Sequence, residues 1–191
     1  MNGPKIDWQR NFPSPLETEH IDKLSLFSTD PEIWRYLAMS LDSRDEVQEW
    51  CLQRQVGRQD GKILPFVIED NLTTEVVGYT GIFDLDMRNK IAEVGPTWLN
   101  PRYFGHKINL EAKLLLLSHA FEEMKLNRLQ FKTDENNLRS QRAILKLDAK
   151  LEGVLRSYKI RKDGSLGNYL IYSTIASEWP ATKDLITRQL K

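Results

Sequence analysis

Residues 108–124, INLEAKLLLLSHAFEEM, most restrict how this chain can fold. Leu110, Leu114, Leu117, Phe121 and Met124 recur at spacings of four, three, four and three, the repeat of one helix face. Leu115 and Leu116 widen that stripe, so the helix must be buried over much of its circumference. Other elements have to cover it, and the segments before it offer strands. LPFVIED, EVVGYTGIFDL and IAEVGPTWL, separated by the turn-like NLTT and DMRNK, read as an antiparallel meander.

Further along, RLQFKTD reads as a strand and NNLRSQRAILKL as a shorter helix. LEGVLRSYKIRK and NYLIYSTIA then form a final hairpin across Asp163-Gly164. Near the start, WQRNFPSPL is expected to be a short first strand. STDPEIWRYL opens a helix with Asp30 as cap and Pro31 in the first position. SRDEVQEWCLQRQVGRQDG has Ser43 and Glu46 at capping-box spacing and stops near Gly61. The order β-αα-βββ-α-β-α-ββ predicts an α/β (α+β) protein, a mixed sheet with helices on its faces. With 191 residues and no repeat or linker, one domain is expected.

Lys+Arg and Asp+Glu are equal at 27 each, so no overall field draws the chain to nucleic acid or an anionic membrane. Any anion site must be local. The single cysteine, Cys51, excludes an internal disulfide and reads as a core thiol, while three scattered histidines lack metal-ligand spacing. No metal is expected. MNGPKIDWQR lacks an apolar stretch of signal-peptide length, and no 18-residue apolar run occurs, so a cytoplasmic protein is the expectation.

A candidate anion site lies in PRYFGHKINLEAK, residues 101–113. The first turn of a helix has unpartnered N–H groups and a partial positive charge, and a strand running into it makes a phosphate seat if nothing bulky intervenes. Gly105 supplies clearance, and Arg102 and Lys107 add charge at the rim. The alternative is a plain β-to-α turn in which Gly105 permits an unusual backbone angle. Neither a G-x-G-x-x-G dinucleotide motif nor a Walker loop is present.

Arg102-x-x-Gly105-x, N-x-E-A-K-L-L-L-L, N-x-x-S and L-E-G-V-L-R occur in that order, with WLNP ahead of the loop and S-E-W-P at the end. From about residue 15 to Trp179 the chain thereby resembles the GNAT N-acetyltransferases, in particular their RimJ/RimL-like branch. The resemblance implies a GNAT fold with about seven strands and four helices, splayed between strands 91–99 and 128–134. It implies acetyl-CoA bound in that splay, with the pyrophosphate on the loop of Arg102, Gly105, His106, Lys107, Ile108 and Asn109. The pantetheine arm would pair with backbone at Trp98 and Leu99, and Asn137 would hydrogen-bond near it. Arg142 either meets the nucleotide phosphates or sits on a solvated helix face. Gly95-Pro96, awkward inside a strand, is expected to form a bulge that opens the strands for the cofactor.

Three positions depart from the family pattern. Lys107 stands where relatives have Gly or Ala, and is expected to point outward onto a phosphate of CoA. Asp148 replaces a glycine that ends a helix in the left-handed region, at a small cost in stability. The tyrosine many relatives use as general acid falls near Ile144, which leaves the acid unassigned. Ser140 is one candidate, or else a cofactor contact or a plain helix residue.

The implied reaction is direct attack of a neutral amine on the acetyl thioester. It needs a base, support for the developing oxyanion and a proton for the leaving thiol. A backbone N–H near Leu99 suits the oxyanion. Glu93 is the best base, unless it is merely a salt-bridged strand residue. Asp84 and Asp86 either line the acceptor mouth or hold a turn. The acceptor is expected to be a protein N-terminal α-amine or a small-molecule amine; a catalytically weak CoA-binding sensor is the alternative. Tyr158, Tyr169 and Tyr172 suit a homodimer contact, the acceptor site or internal packing.

Overall fold

The computed structural model describes residues 13–70 and 72–191. Residues 8–12 of the expected first strand lie outside that range, and its remainder is β1 (Pro13–Pro15). Two prolines suit an edge position, and among the described residues β1 pairs on one side alone, with β2 (Leu64–Asp70). Between them come α1 (His20–Ser28), α2 (Pro31–Trp34) and α3 (Arg44–Gln59). The capping box of Ser43 and Glu46 is formed, and Asp30 accepts the amide of Glu32 with Pro31 behind it. The meander continues through β3 (Glu75–Asp86), β4 (Ile91–Val94) and β5 (Trp98–Leu99).

The apolar helix is α4 (Ile108–Ser118), prolonged by a π-helical turn at His119–Glu123. Then follow β6 (Arg128–Asp134), α5 (Leu138–Leu145), the hairpin β7 (Lys150–Ile160) and β8 (Leu166–Ile175), and α6 (Trp179–Leu190). One sheet runs β1-β2-β3-β4-β6-β8-β7, with β5 also on β3. Its pairings are antiparallel except β4 with β6.

Two helices went unforeseen. α1 begins without a side-chain cap, and its nine residues carry only Ile21, Leu24 and Phe27 as an apolar stripe. α6 starts inside S-E-W-P, with Pro180 in its first turn, and buries Trp179, Thr182 and Ile186. Conversely, STDPEIWRYL yields a single turn rather than a longer helix.

Burial divides between the sheet faces. α1–α3 enclose an aromatic core with Trp34, Trp50, Tyr79 and Trp98. On the other side Leu114, Leu116 and Leu117 of α4 pack with Leu129 and Phe131 of β6 and with Trp179 and Ile186 of α6. A smaller cluster of Ile68, Val77, Leu99, Ile108 and Ala112 joins the start of α4 to the sheet. Among the described residues no helix is long and apolar enough to cross a membrane.

Candidate active site

β4 and β6 run side by side for three pairs, ending at Glu93 opposite Gln130. They then part, and the cause lies in β3. Val94 pairs with Ile82 and Trp98 with Tyr79, so Gly95, Pro96 and Thr97 stand opposite only Thr80 and Gly81. This is the expected bulge, and it bends the chain away from β6. Beyond it β5 stays on β3 while β6 continues with β8, which leaves a cleft of about 930 Å³.

One edge of β5 faces this cleft. Asn100 N–H donates to Val77 O at 2.8 Å, so strand alternation turns the N–H and C=O of Leu99 toward the gap. The Trp98 side chain points the other way, with ring centroids of Phe27, Trp34, Trp50 and Tyr79 at 5.2–5.9 Å. The same alternation turns the Trp98 N–H and C=O toward β3, so Leu99 is the residue of β5 whose backbone can meet a ligand. Gly78 is required behind it, because a Cβ there would lie 2.5 Å from Leu99 Cδ2 and Trp98 O.

The loop into α4 forms the cleft's second wall. Gly105 has φ +84°, and a Cβ added there would meet nothing within 4 Å, so the glycine serves backbone conformation and borders open space. Ile108 is buried against Leu99, which fixes the helix start beside β5 and leaves its first-turn amides without intrahelical acceptors. His106 and Asn109 line the cleft, and Asn109 Oδ1 is buried without a protein partner. Lys107 does not take the expected direction: its amine donates to Leu190 O of α6 at 3.1 Å. Lys107, Arg102 and Ile108 all stand outside the cleft lining. The reason is that α6, unforeseen in the sequence, offers Lys107 the carbonyls of a helix C-terminus.

α5 closes the third side. Asn137 Oδ1 accepts the Ser140 amide at 3.0 Å, so what Asn137 can offer a ligand is its NH2 group. Ser140 and Arg142 also line the cleft, and Arg139 lies 3.7 Å over the Phe104 ring.

Glu93 is an ion-paired residue at the fork. Lys132 Nζ lies 2.7 Å from its Oε2, and Gln130 Nε2 donates to the same oxygen at 3.1 Å. Burial opposes the Lys132 charge, but hydrogen bonds to Glu93 and Tyr158 outweigh it and raise the lysine above its ordinary pKa. Asp134, almost fully buried, is held by Arg161 at 2.8 and 3.1 Å.

Sequence reasoning missed Lys113. It is buried in the cleft wall, donating to Thr80 Oγ1 at 2.7 Å and Thr97 Oγ1 at 2.6 Å, and burial pulls its pKa down to about 7. The signal was a lone lysine inside EAKLLLL, on a helix that has to be buried.

Residues 14–150 match the Acetyltransferase (GNAT) domain, well over half of the chain. The chain belongs to the GNAT acetyltransferase family. The uncharacterized N-acetyltransferase p20 of Bacillus licheniformis is 28% identical over 172 residues, 86% of this chain and 92% of p20. A T. thermophilus protein solved as a presumed acetyltransferase is 30% identical, with TM-score 0.81 and full coverage of both chains. Mycobacterium smegmatis RimJ in complex with CoA-disulfide shares the fold, with TM-score 0.82 at 20% identity over 92% of this chain and 87% of RimJ.

As a GNAT N-acetyltransferase the protein uses acetyl-CoA, and its residues fit that donor. The cleft lies near the upper end of the roughly 300–1,000 Å³ usual for ligand sites. It combines an open glycine loop at a helix start, an unpaired strand edge at Leu99 and the unsatisfied Asn109 oxygen. When bound, the donor would supply an activated acetyl group between β5 and β6.

Several other expectations resolve at this GNAT cleft. Tyr172 belongs to the main core, whereas Tyr158 and Tyr169 line the cleft, so the hairpin tyrosines do not form one exposed surface. Asp86 accepts from the amide and side chain of Asn89 and holds the turn, and neither it nor Asp84 lines the cleft. Ile144 is buried in the core. Burial pushes the Cys51 thiol up to about 12, as befits an inert core cysteine. Among the described residues no group of His, Cys, Asp and Glu could hold a metal.

Proposed function

We propose that this GNAT enzyme acetylates a primary amine by direct attack within a ternary complex, and that the acceptor is a protein N-terminal α-amine. The observation that carries the reading is the fork itself. The Leu99 amide faces the gap on one strand, and the Glu93 carboxylate stands at the base of the same gap. Leu99 N–H is placed to stabilise an oxyanion, and Glu93 to accept a proton directly or through water. The Gly105 loop and the first turn of α4 hold the pyrophosphate, while Asn137 steadies the pantetheine arm.

The acceptor class follows from proton arithmetic. An α-amine with pKa about 8 is roughly one-tenth neutral at pH 7, whereas a lysine at about 10.4 is neutral in about one molecule in 2,500. Glu93 is already committed to Lys132 and Gln130, a modest base better matched to an α-amine. The resemblance to the ribosomal-protein branch agrees with that choice, and a small-molecule amine is the nearest alternative.

The test is thiol release from acetyl-CoA with peptides bearing free or blocked α-amines, lysine side chains and small amines, with product mass measured. Acetylation confined to free α-amines is the expected result. Turnover on small amines alone would replace the acceptor. CoA binding without turnover on any amine would favour a sensor, a reading supported by the absence of an acid at Ile144.

A further inference from the structure

Lys113 has no part in the chemistry above. Its amine bonds to the Thr80 and Thr97 hydroxyls, which lie 2.9 Å from each other, so the three polar atoms close a triangle. Thr80 and Lys113 are both buried, and no ion pair to the amine is found among the described residues. A buried ammonium without a counter-ion is costly and calls for an explanation.

Hydrogen-bond capacity gives the triangle a direction. An ammonium only donates, so both hydroxyls accept from Lys113. Thr80 is fully buried, and its own proton must find an acceptor, which Thr97 Oγ1 supplies. Thr97 then accepts twice and keeps one O–H to direct elsewhere. It lies half-buried in the Gly95–Thr97 bulge and lines the cleft, as Lys113 does. A buried cation therefore reaches the fork through a single hydroxyl.

We propose that Thr97 and Lys113 deliver the proton to the departing thiol, Thr97 as the acid at the sulfur and Lys113 as the residue that recharges it. The proposal rests on the acetyl-transfer reading. As the amine nitrogen bonds to the acetyl carbon, the C–S bond breaks with its electron pair on sulfur. Sulfur takes the Thr97 proton, and Thr97 takes one from the Lys113 ammonium, which becomes a neutral amine. The proton shed by the acceptor nitrogen passes to Glu93 or water, and solvent restores Lys113.

The acidity suits the task. A thiol of ordinary pKa about 8.5 is not readily protonated by a lysine at about 10.4. Lowered by burial to about 7, Lys113 can do so. The charged groups sharing the cleft are Arg54 of α3, Glu93 of β4, His106 of the loop, Lys132 and Asp134 of β6, Arg139 and Arg142 of α5, Lys146 just after it and Lys159 of β7. Glu93 with Lys132 and Asp134 with Arg161 are paired among themselves, so they leave the Lys113 charge uncompensated.

The experiment follows protein carrying ε-¹³C-lysine by NMR, titrated with CoA and with desulfo-CoA, in which hydrogen replaces the thiol. One lysine signal, absent from Lys113→Met, should titrate with a midpoint at about 7. CoA should move that midpoint by about half a pH unit or more, and desulfo-CoA should leave it in place. With the fastest amine of the panel, Lys113→Met and Thr97→Val should release thiol about 100-fold more slowly, with KM for acetyl-CoA changed less than about threefold. Lys113→Arg, which keeps charge but yields no proton, should not restore the rate. If a variant fails to fold, the lysine signal of the unaltered protein still decides. A signal that CoA leaves unmoved while binding, or a Thr97→Val rate near normal, overturns the relay alone. An unaltered protein that binds no CoA overturns the acetyl-transfer reading and the relay together.

Discussion

Lys132 Nζ lies 2.7 Å from Glu93 Oε2, an ion pair spanning β4 and β6 where the two strands part. It holds the carboxylate at the base of the cleft. Both side chains are more than four-fifths buried, so neither can be removed without stranding the other. Lys132→Met should lower unfolding free energy by about 3 kcal/mol in urea titration, with the Glu93 charge left unpaired. Glu93→Gln strands the Lys132 charge in turn and should also lower stability, but it should in addition lower kcat about 100-fold while CoA affinity holds, which Lys132→Met should not do to that extent. A Glu93→Gln enzyme of normal rate would reduce Glu93 to a strut between strands.

The loop makes a second, separable prediction. Gly105 is in the left-handed region with open space beside it, so Gly105→Ala costs backbone strain of about 1 kcal/mol and shifts the amides that follow. Calorimetry should show CoA affinity falling about tenfold. Lys107→Ala should leave that affinity within about twofold, because the amine is occupied at Leu190 O on α6. A large loss in Lys107→Ala would mean that the side chain abandons α6 when CoA binds.

Much of this was legible in the sequence, for identifiable reasons. The α4 stripe, the Ser43–Glu46 box and the Asp163-Gly164 turn are local signals and were read correctly, whereas α1 and α6, which begin without a side-chain cap, were not. The Gly95-Pro96 bulge was also visible, because proline is excluded from a regular ladder. What stayed hidden depends on distant partners. Nothing in PRYFGHKINLEAK announces that Leu190 will receive Lys107. Nothing near Glu93 names Lys132, although two residues of alternation place Lys132 and Gln130 on one side of β6. Lys113 was overlooked for a different reason: it runs into a row of leucines, and its two partners are distant threonines, Thr80 on β3 and Thr97 in the bulge before β5.

Asp148 offers a test of stability without function. It has φ +55°, just after α5 and its cap, a backbone region that favours glycine. Its side chain lies outside the cleft. Asp148→Gly should relieve left-handed strain and raise unfolding free energy by about 1 kcal/mol, with thiol release unchanged. Lowered stability would mean that added chain entropy of the unfolded state outweighs the strain.

Lys113 ties stability to pH with a sign that can be worked out. Its pKa falls from 10.5 to about 7 on folding because burial disfavours the charged form. Below pH 7 the amine is protonated in both states, and the folded protein bears the full burial penalty. Between pH 7 and 10.5 the unfolded chain keeps a proton that the folded one has released, so stability rises with pH across that window. The slope for one proton is about 1.4 kcal/mol per pH unit, which amounts to about 2–3 kcal/mol between pH 7 and 9. Lys113→Met lacks this contribution and keeps the Thr80–Thr97 hydrogen bond. Urea unfolding of both proteins should show Lys113→Met as the more stable near pH 6, with the unaltered protein recovering the difference as pH rises toward 9. Parallel stability curves would mean that Lys113 keeps its proton throughout, and with it that the amine is too basic to recharge Thr97.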